Sequence, residues 1–216
     1  MKRVMEMHET LAFFGAFNPP TVAHIRLAEF AMREAGAQNV LFVPSKSGYI
    51  RDSQQKDFAF QDEDRLAMLD KIAKTRPWMQ KTDWEIRQES QPRTYHTLCA
   101  LRDGGVSASL LMGSDKLKEL ENGWRFVPEI CREFGIVCLA RGEDNCRQTI
   151  QSSPFLQNLS PFIQVLETPD EFRGISSTAV RKLLLRKPVP EEELSRMVPE
   201  EILPLLIHAA NKGGSL

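Results

Sequence analysis

Two rhythms of apolar and polar residues run through the chain. Short apolar runs at Leu11 to Phe14, Val40 to Val43, Ser109 to Met112, Phe134 to Leu139 and Phe162 to Leu166 have the length of buried strands. Between them apolar residues recur at helical spacing. Val22, Ile25, Leu27, Ala28, Ala31, Met32 and Ala35 form one stripe, which Gly36 is placed to end. Leu66, Leu69, Ile72 and Ala73 follow the acidic turn Asp62, Glu63, Asp64, predicting a helix to about Thr75. Thr94 to Arg102 reads as a helix stopped by Asp103-Gly104-Gly105, and a helix with Leu117 and Leu120 begins after Gly113-Ser114-Asp115. Met79 to Ile86 predicts a further strand with Trp84 and Glu85 near its end. Trp124 to Cys131 predicts a short helical connection, and residues 44 to 60 a mobile loop. Two short helices close the chain, with Pro199 in the first turn of the last.

The first strand, helix and strand make a βαβ unit, whose crossover is expected to be right-handed and whose strands parallel. Continued alternation predicts an α/β fold: a Rossmann-like, doubly wound, mostly parallel sheet with helices on both faces and a C-terminal helical segment. One domain is expected over residues 1–216, its core spanning about 10–187 and its closing helices about 188–212. Ligands of such sheets lie beyond the carboxyl ends of the strands. The polar clusters at 15–24, 44–46, 84–85, 113–115 and 141 are therefore expected to converge on one crevice.

Composition narrows the partners. Of 216 residues, 42% are hydrophobic and 26% charged, ordinary for a globular protein, and 28 basic against 29 acidic residues leave a net charge of −1. That balance argues against a dedicated nucleic-acid or membrane-surface partner while leaving room for a local basic pocket. No run approaches the roughly 18 apolar residues of a spanning helix, and Met1 to Thr10 is polar, so an intracellular, cytoplasmic protein is expected. Cys99, Cys131, Cys138 and Cys146 show neither zinc nor redox spacing and read as reduced thiols. A homo-oligomer is left open.

The chemistry concentrates at Phe13 to His24. A strand runs into a Gly15, Asn18-Pro19-Pro20 turn and then into a helix whose first turn carries His24. Such a junction gathers backbone N–H groups, the positive end of a helix dipole and an imidazole, a setting for a phosphate. Ser177, Thr178 and Arg181 read as a second cradle, with hydroxyls near an N-cap and an arginine one turn in; the same residues also suit a plain cap with a surface arginine.

The pattern Gly15-x-Phe17-Asn18-Pro19-x-Thr21-x-x-His24, paired with the distal Ile175-Ser176-Ser177-Thr178-x-x-Arg181, resembles the nucleotidyltransferase superfamily with the H-x-G-H signature. Within it the chain is similar to the nicotinamide and nicotinate mononucleotide adenylyltransferases. Trp84-Glu85, Thr94-Tyr95, Leu111 to Asp115 with Trp124, and Gly135 to Arg141 extend the likeness over most of the chain. The resemblance implies transfer of AMP from ATP to the 5′-phosphate of a pyridine mononucleotide, with Mg²⁺ carried by the ATP and no metal site of the protein's own. It implies that His24 is catalytic and that Gly15, Phe17, Asn18, Thr21, Gly113, Asp115, Ser177, Thr178 and Arg181 hold ATP and its phosphates. It further implies that Lys46, Trp84, Thr94 and Arg141 meet the mononucleotide.

Alternatives stand beside several of these roles. Trp84 suits stacking on a pyridinium ring or a place in the core, and Asp115 suits nucleotide contact or a helix N-cap. Thr21 replaces the first histidine of the signature and Ala23 its glycine. Threonine there is familiar in phosphopantetheine adenylyltransferases and in eukaryotic-type nicotinamide mononucleotide enzymes. The alternatives to the adenylyltransferase are phosphopantetheine adenylyl or cytidylyl transfer, and a nucleotide-binding module without turnover.

Overall fold

The computed structural model describes residues 8–52, 60–140, 145–169 and 174–211. In chain order its elements are β1 (Thr10–Gly15), α1 (Val22–Glu34), β2 (Asn39–Pro44), α2 (Ser47–Asp52), α3 (Asp62–Ala73), β3 (Met79–Lys81), α4 (Trp84–Arg87), α5 (Thr94–Asp103), β4 (Ala108–Gly113), α6 (Ser114–Leu117), α7 (Val127–Glu133), β5 (Ile136–Ala140), α8 (Cys146–Ser152), α9 (Pro154–Leu159), β6 (Ile163–Glu167), α10 (Ser177–Leu184), α11 (Glu191–Ser195) and α12 (Leu203–Asn211). The strands form one sheet in the order β3-β2-β1-β4-β5-β6. Pairing is parallel from β1 through β4 and β5 to β6. The order reverses between β1 and β4, as in the doubly wound α/β fold that the alternation predicts. Among the described residues no helix is long and apolar enough to cross a membrane.

The chain falls into two compact units. The first comprises Met1–Phe14, Leu27–Leu41 and Pro92–Glu171. In its ladder Leu11 lies opposite Ser109, Leu110 opposite Ile136, and Ile136 opposite Ile163. β4 and β5 are buried at every position, which is why they read as continuous apolar runs instead of alternating ones. Each buried Leu, Ile or Val contributes about 1.5–3 kcal/mol of transfer free energy, offset by chain entropy.

Glycine ends two helices of this unit in the same way. The Ala37 N–H donates to the Met32 carbonyl at 2.9 Å and the Gly36 N–H to that of Arg33 at 3.2 Å, with Gly36 at φ +71°. The Val106 N–H donates to Leu101 at 2.8 Å and the Gly105 N–H to Arg102 at 2.9 Å, with Gly105 at φ +91°. Both are Schellman motifs, and only glycine takes that left-handed turn without strain. On the surface, Glu133 accepts hydrogen bonds from Tyr95 Oη at 2.9 Å and Arg102 Nη1 at 2.7 Å. The bond from Arg102, with that from Tyr95, holds the Glu133 carboxyl below its usual range, and the bond to Glu133 pushes the Tyr95 phenol up to about 12.

The second unit comprises Gly15–Arg26, Phe42–Gln91 and Phe172–Leu216. In it α3 packs on β3 and on the 3₁₀ turn Glu200–Ile202, while α10, α11 and α12 pack on one another. Its core includes Phe17, Phe42, Ile50, Leu69, Ile72, Val180, Leu194 and Ile202. Arg76 Nη1 at the end of α3 pairs with Glu201 at 2.6 Å.

Several elements depart from the sequence pattern, each for a physical reason. Ser47–Asp52 is a helix within the stretch read as a loop, because the Asp62 carboxylate accepts from the Ser47 N–H at 2.8 Å and its hydroxyl at 2.7 Å, a cap supplied from outside the local sequence. Residues 53–59 of that stretch lie outside the described residues. β3 stops at Lys81, and Thr82 Oγ1 accepts the Trp84 N–H at 3.2 Å, so Trp84 and Glu85 open a short helix and do not end a strand. Phe134 follows α7 and Gly135 turns at φ +73°, so β5 begins at Ile136; Phe134 is apolar because it fills the core. Phe126, at φ +62°, delays the helix expected from Trp124 until Val127. The helix after β4 ends at Leu117, leaving Leu120 in the turn beyond. α8 and α9 form where the apolar pattern gave no element. Asn145 Oδ1 caps the first at 2.9 Å and Ser153 Oγ the second at 3.2 Å.

Candidate active site

β1 ends at Gly15 and α1 begins at Val22, with Thr21 in the N-cap position. The His24 N–H donates to Thr21 Oγ1 at 3.4 Å, while the Thr21 N–H donates to His24 Nδ1 at 3.0 Å. This reciprocal pair is a capping box in which an imidazole takes the place usually held by Glu or Gln. Thr21 Oγ1 also lies 2.7 Å from Nδ1. With Nδ1 accepting from the backbone, a neutral ring carries its proton on Nε2. In that form His24 offers Nε2–H as its donor, with Nδ1 held by Thr21. Phe17 supports the ring edge-on, with centroids 5.4 Å apart at 74°, and leans on Phe42 at 5.1 Å. Gly15 makes room for this: a Cβ there would lie 3.0 Å from Phe17 Cζ.

The loop's carbonyls are met by donors from distant segments. Gly15 O accepts from the Ser45 N–H at 3.0 Å and Ala16 O from Arg65 Nη1 at 2.7 Å. Asn18 O accepts from Arg181 Nη1 at 2.8 Å and Pro19 O from Ser177 Oγ at 2.8 Å. Asn18 Oδ1 accepts from the Phe60 N–H at 2.8 Å. Carbonyl dipoles facing a phosphate would repel it, and here they are turned onto donors. Thus the two motifs meet, and Ser177 and Arg181 grip the first motif's backbone. Arg181 Nη2 also reaches Thr178 Oγ1 at 3.1 Å. The α10 cap is Ser176, whose hydroxyl accepts from the Ala179 N–H at 3.1 Å.

Phe17, Asn18 and Thr21, which the sequence assigns to ATP, are buried, and their side chains hold the loop: Phe17 against His24, Asn18 on the Phe60 N–H and Thr21 on the His24 N–H. The expected row of N–H groups at the start of α1 needs correction as well. Val22 N–H donates to Met197 O at 3.0 Å and Ile25 N–H to Thr21 O at 3.3 Å, while His24 N–H goes to Thr21 Oγ1. The Ala23 N–H alone in this turn has no partner among the described residues.

Lys46 is committed in this structure. Its Nζ donates to the Ile86 and Gln88 carbonyls, each at 2.5 Å, and its N–H to Gln91 Oε1 at 2.9 Å. Gln91 Nε2 in turn donates to the buried Glu85 carboxylate at 2.5 Å. These bonds hold α4 and with it the half-buried Trp84. In the first unit Gly113 ends β4 buried, Thr94 opens α5, and Asp115 is exposed as the second residue of α6. Asp115 is not an N-cap, since Gly113 occupies that position. Arg141 lies outside the described residues.

Sequence reasoning missed Arg65, Asp62 and Met197. A signal for Arg65 was present: it falls in register with Met68, Leu69 and Ile72 on the buried stripe of α3. Asp62 pairs with it at 2.5 Å. Burial alone would raise the Asp62 carboxyl, but hydrogen bonds from Ser47 and the Arg65 guanidinium outweigh it and hold the group below its ordinary 3.8. A depressed carboxyl contributes stability that is complete above its unfolded value and lost as pH falls through the folded one. Asp62→Asn is therefore expected to lower the melting temperature at pH 7 and to match the parent well below pH 3.8, measured by thermal melts across pH.

The chain matches the cytidylyltransferase-like family model over residues 12–183. It is 28% identical over 222 residues to a Caenorhabditis elegans nicotinamide/nicotinic acid mononucleotide adenylyltransferase 2, covering 94% of this chain and 95% of that one. It is 30% identical over 203 residues to a probable nicotinate-nucleotide adenylyltransferase of Trichlorobacter lovleyi, covering 87% and 91%. In fold it is similar to a Plasmodium falciparum nicotinic acid mononucleotide adenylyltransferase complexed with NaAD, with TM-score 0.68, 16% identity and 95% of both chains covered. The paired motifs and these relatives agree: the chain belongs to the cytidylyltransferase-like family, on its nicotinamide and nicotinate mononucleotide adenylyltransferase branch.

Proposed function

We propose that the chain transfers the adenylyl group of ATP to the 5′-phosphate of nicotinamide or nicotinate mononucleotide, giving the dinucleotide and pyrophosphate. The observation that carries this reading is the Thr21–His24 pair, which holds an imidazole by its Nδ1 at the head of α1. An oxygen of the acceptor phosphate forms the new bond to the α-phosphorus as the bond to the pyrophosphate oxygen breaks, so no protein nucleophile is required. The protein's work is alignment and charge stabilisation. His24 donates from Nε2 to an α-phosphoryl oxygen as negative charge grows there. Thr178 and Arg181 meet the outer phosphates of ATP, with Arg181 keeping its hold on Asn18. The Trp84 face stacks on the pyridine ring.

A divalent cation, expected to be Mg²⁺, would enter on the triphosphate and neutralise its charge. The described residues hold no group of three or more His, Cys, Asp or Glu side chains suited to a metal, and the exposed Asp115 is a hard oxygen donor of the kind Mg²⁺ accepts alongside phosphates and water.

Incubation with ATP, Mg²⁺ and each mononucleotide, followed by chromatography and a pyrophosphate assay, is expected to yield equal amounts of dinucleotide and pyrophosphate. Binding of ATP without product from either mononucleotide would overturn the reading.

A further inference from the structure

We infer that Arg65 is a positioning residue of the transferase site, a buried cation that fixes the loop after β1 against the loop after β2. No signature motif contains it, and its side chain is 0% exposed. Nη1 donates to Ala16 O at 2.7 Å, and Nη2 to Ser45 O and to Asp62 Oδ1, each at 2.5 Å, with Ser47 Oγ 3.3 Å from it. One planar group thus spans the segment that leads into Phe17 and His24 and the segment that carries Lys46. A lysine offers a single nitrogen where these acceptors are met by two, held in a fixed fork.

The environment argues that the cation is kept for geometry more than for stability. Burial disfavours its charge, Asp62 compensates in part, and Nε is buried without a hydrogen-bond partner among the described residues. Apolar side chains of similar volume often replace buried ion pairs at no cost in stability. What such a replacement would remove here is the shared donor to Ala16 and Ser45. Ala16 directly precedes Phe17, whose ring lies edge-on to His24, so slack at Ala16 passes to the imidazole.

The inference rests on the adenylyl-transfer reading and adds a residue that never meets substrate. Its test uses the full chain with Arg65→Lys, Arg65→Met and Asp62→Asn, read by thermal melts, by kcat and KM for ATP and both mononucleotides, and by hydrogen exchange across residues 16–18. Arg65→Lys is expected to melt cooperatively, lose about 10²-fold in kcat with both KM values within about threefold, and exchange about tenfold faster over 16–18. A kcat within threefold of the parent in folded Arg65→Lys would overturn the inference. Should both Arg65 variants fail to fold, Asp62→Asn decides: a roughly tenfold fall in kcat at constant KM supports the role, and an unchanged kcat overturns it. Exchange is read without turnover. An inactive parent whose variants exchange faster would defeat the adenylyl-transfer reading and keep the loop clamp. An active parent whose variants exchange no faster would do the reverse.

Discussion

His24→Ala is expected to lower kcat by about 10²- to 10³-fold, the usual effect of removing a donor aimed at charge that develops in the transition state. The same change strips the Thr21 N–H of its partner, since Nδ1 accepts it at 3.0 Å. Loss of half a capping box costs about 1 kcal/mol, or about 2–4 °C in melting temperature for a chain of this size. His24→Gln separates the two roles. A glutamine at this position completes the box in its ordinary form, so the melting temperature should return while kcat recovers only in part. Steady-state kinetics and melts on the three proteins read both effects. If His24→Ala keeps kcat within threefold, the imidazole serves the cap and not the chemistry.

Arg181→Met is expected to reduce kcat/KM for ATP by about 10- to 10²-fold, the range for one hydrogen bond made by a charged group. That figure is for the cation offered to the outer phosphates; loss of the tether to Asn18 O at 2.8 Å adds to it and pushes the effect toward the upper end. Arg181→Lys retains the charge but not the fork that serves Asn18 O and Thr178 Oγ1 together, so partial recovery is expected. The comparison with kcat/KM for the mononucleotide is the check. ATP constants that do not move would assign Arg181 to loop support alone.

Much of this was legible in the sequence because it is local. Strands β1, β2, β4 and β6 announce themselves as short apolar runs and helix α1 by its spacing, and Gly36 and Gly105 end α1 and α5 through a conformation that glycine alone takes easily. His24 was placed in the first turn of α1 by the switch from strand to helical spacing, and the structure puts it there. What escaped depends on partners far away in the chain. The start of α2 is set by Asp62, fifteen positions beyond Ser47, and no window around Ser47 contains that carboxylate. The open row of N–H groups expected at α1 is mostly taken, because Thr21 and Met197 supply oxygens that the periodicity of α1 cannot reveal. Lys46 was expected to meet the mononucleotide, and here its ammonium is tied to the carbonyls that end α4, residues some forty positions away in the chain.

The groups that hold Pro19 and Asn18 lie 158 and 163 residues further along the chain, and Met197 supplies the acceptor for the first N–H of α1. During synthesis, a growing chain displays the whole histidine motif long before these three distant groups exist to grip it. That part of the loop's support therefore waits until the stretch from Ser177 to Met197 has been made, and a message truncated before Ser176 would encode the signature without it.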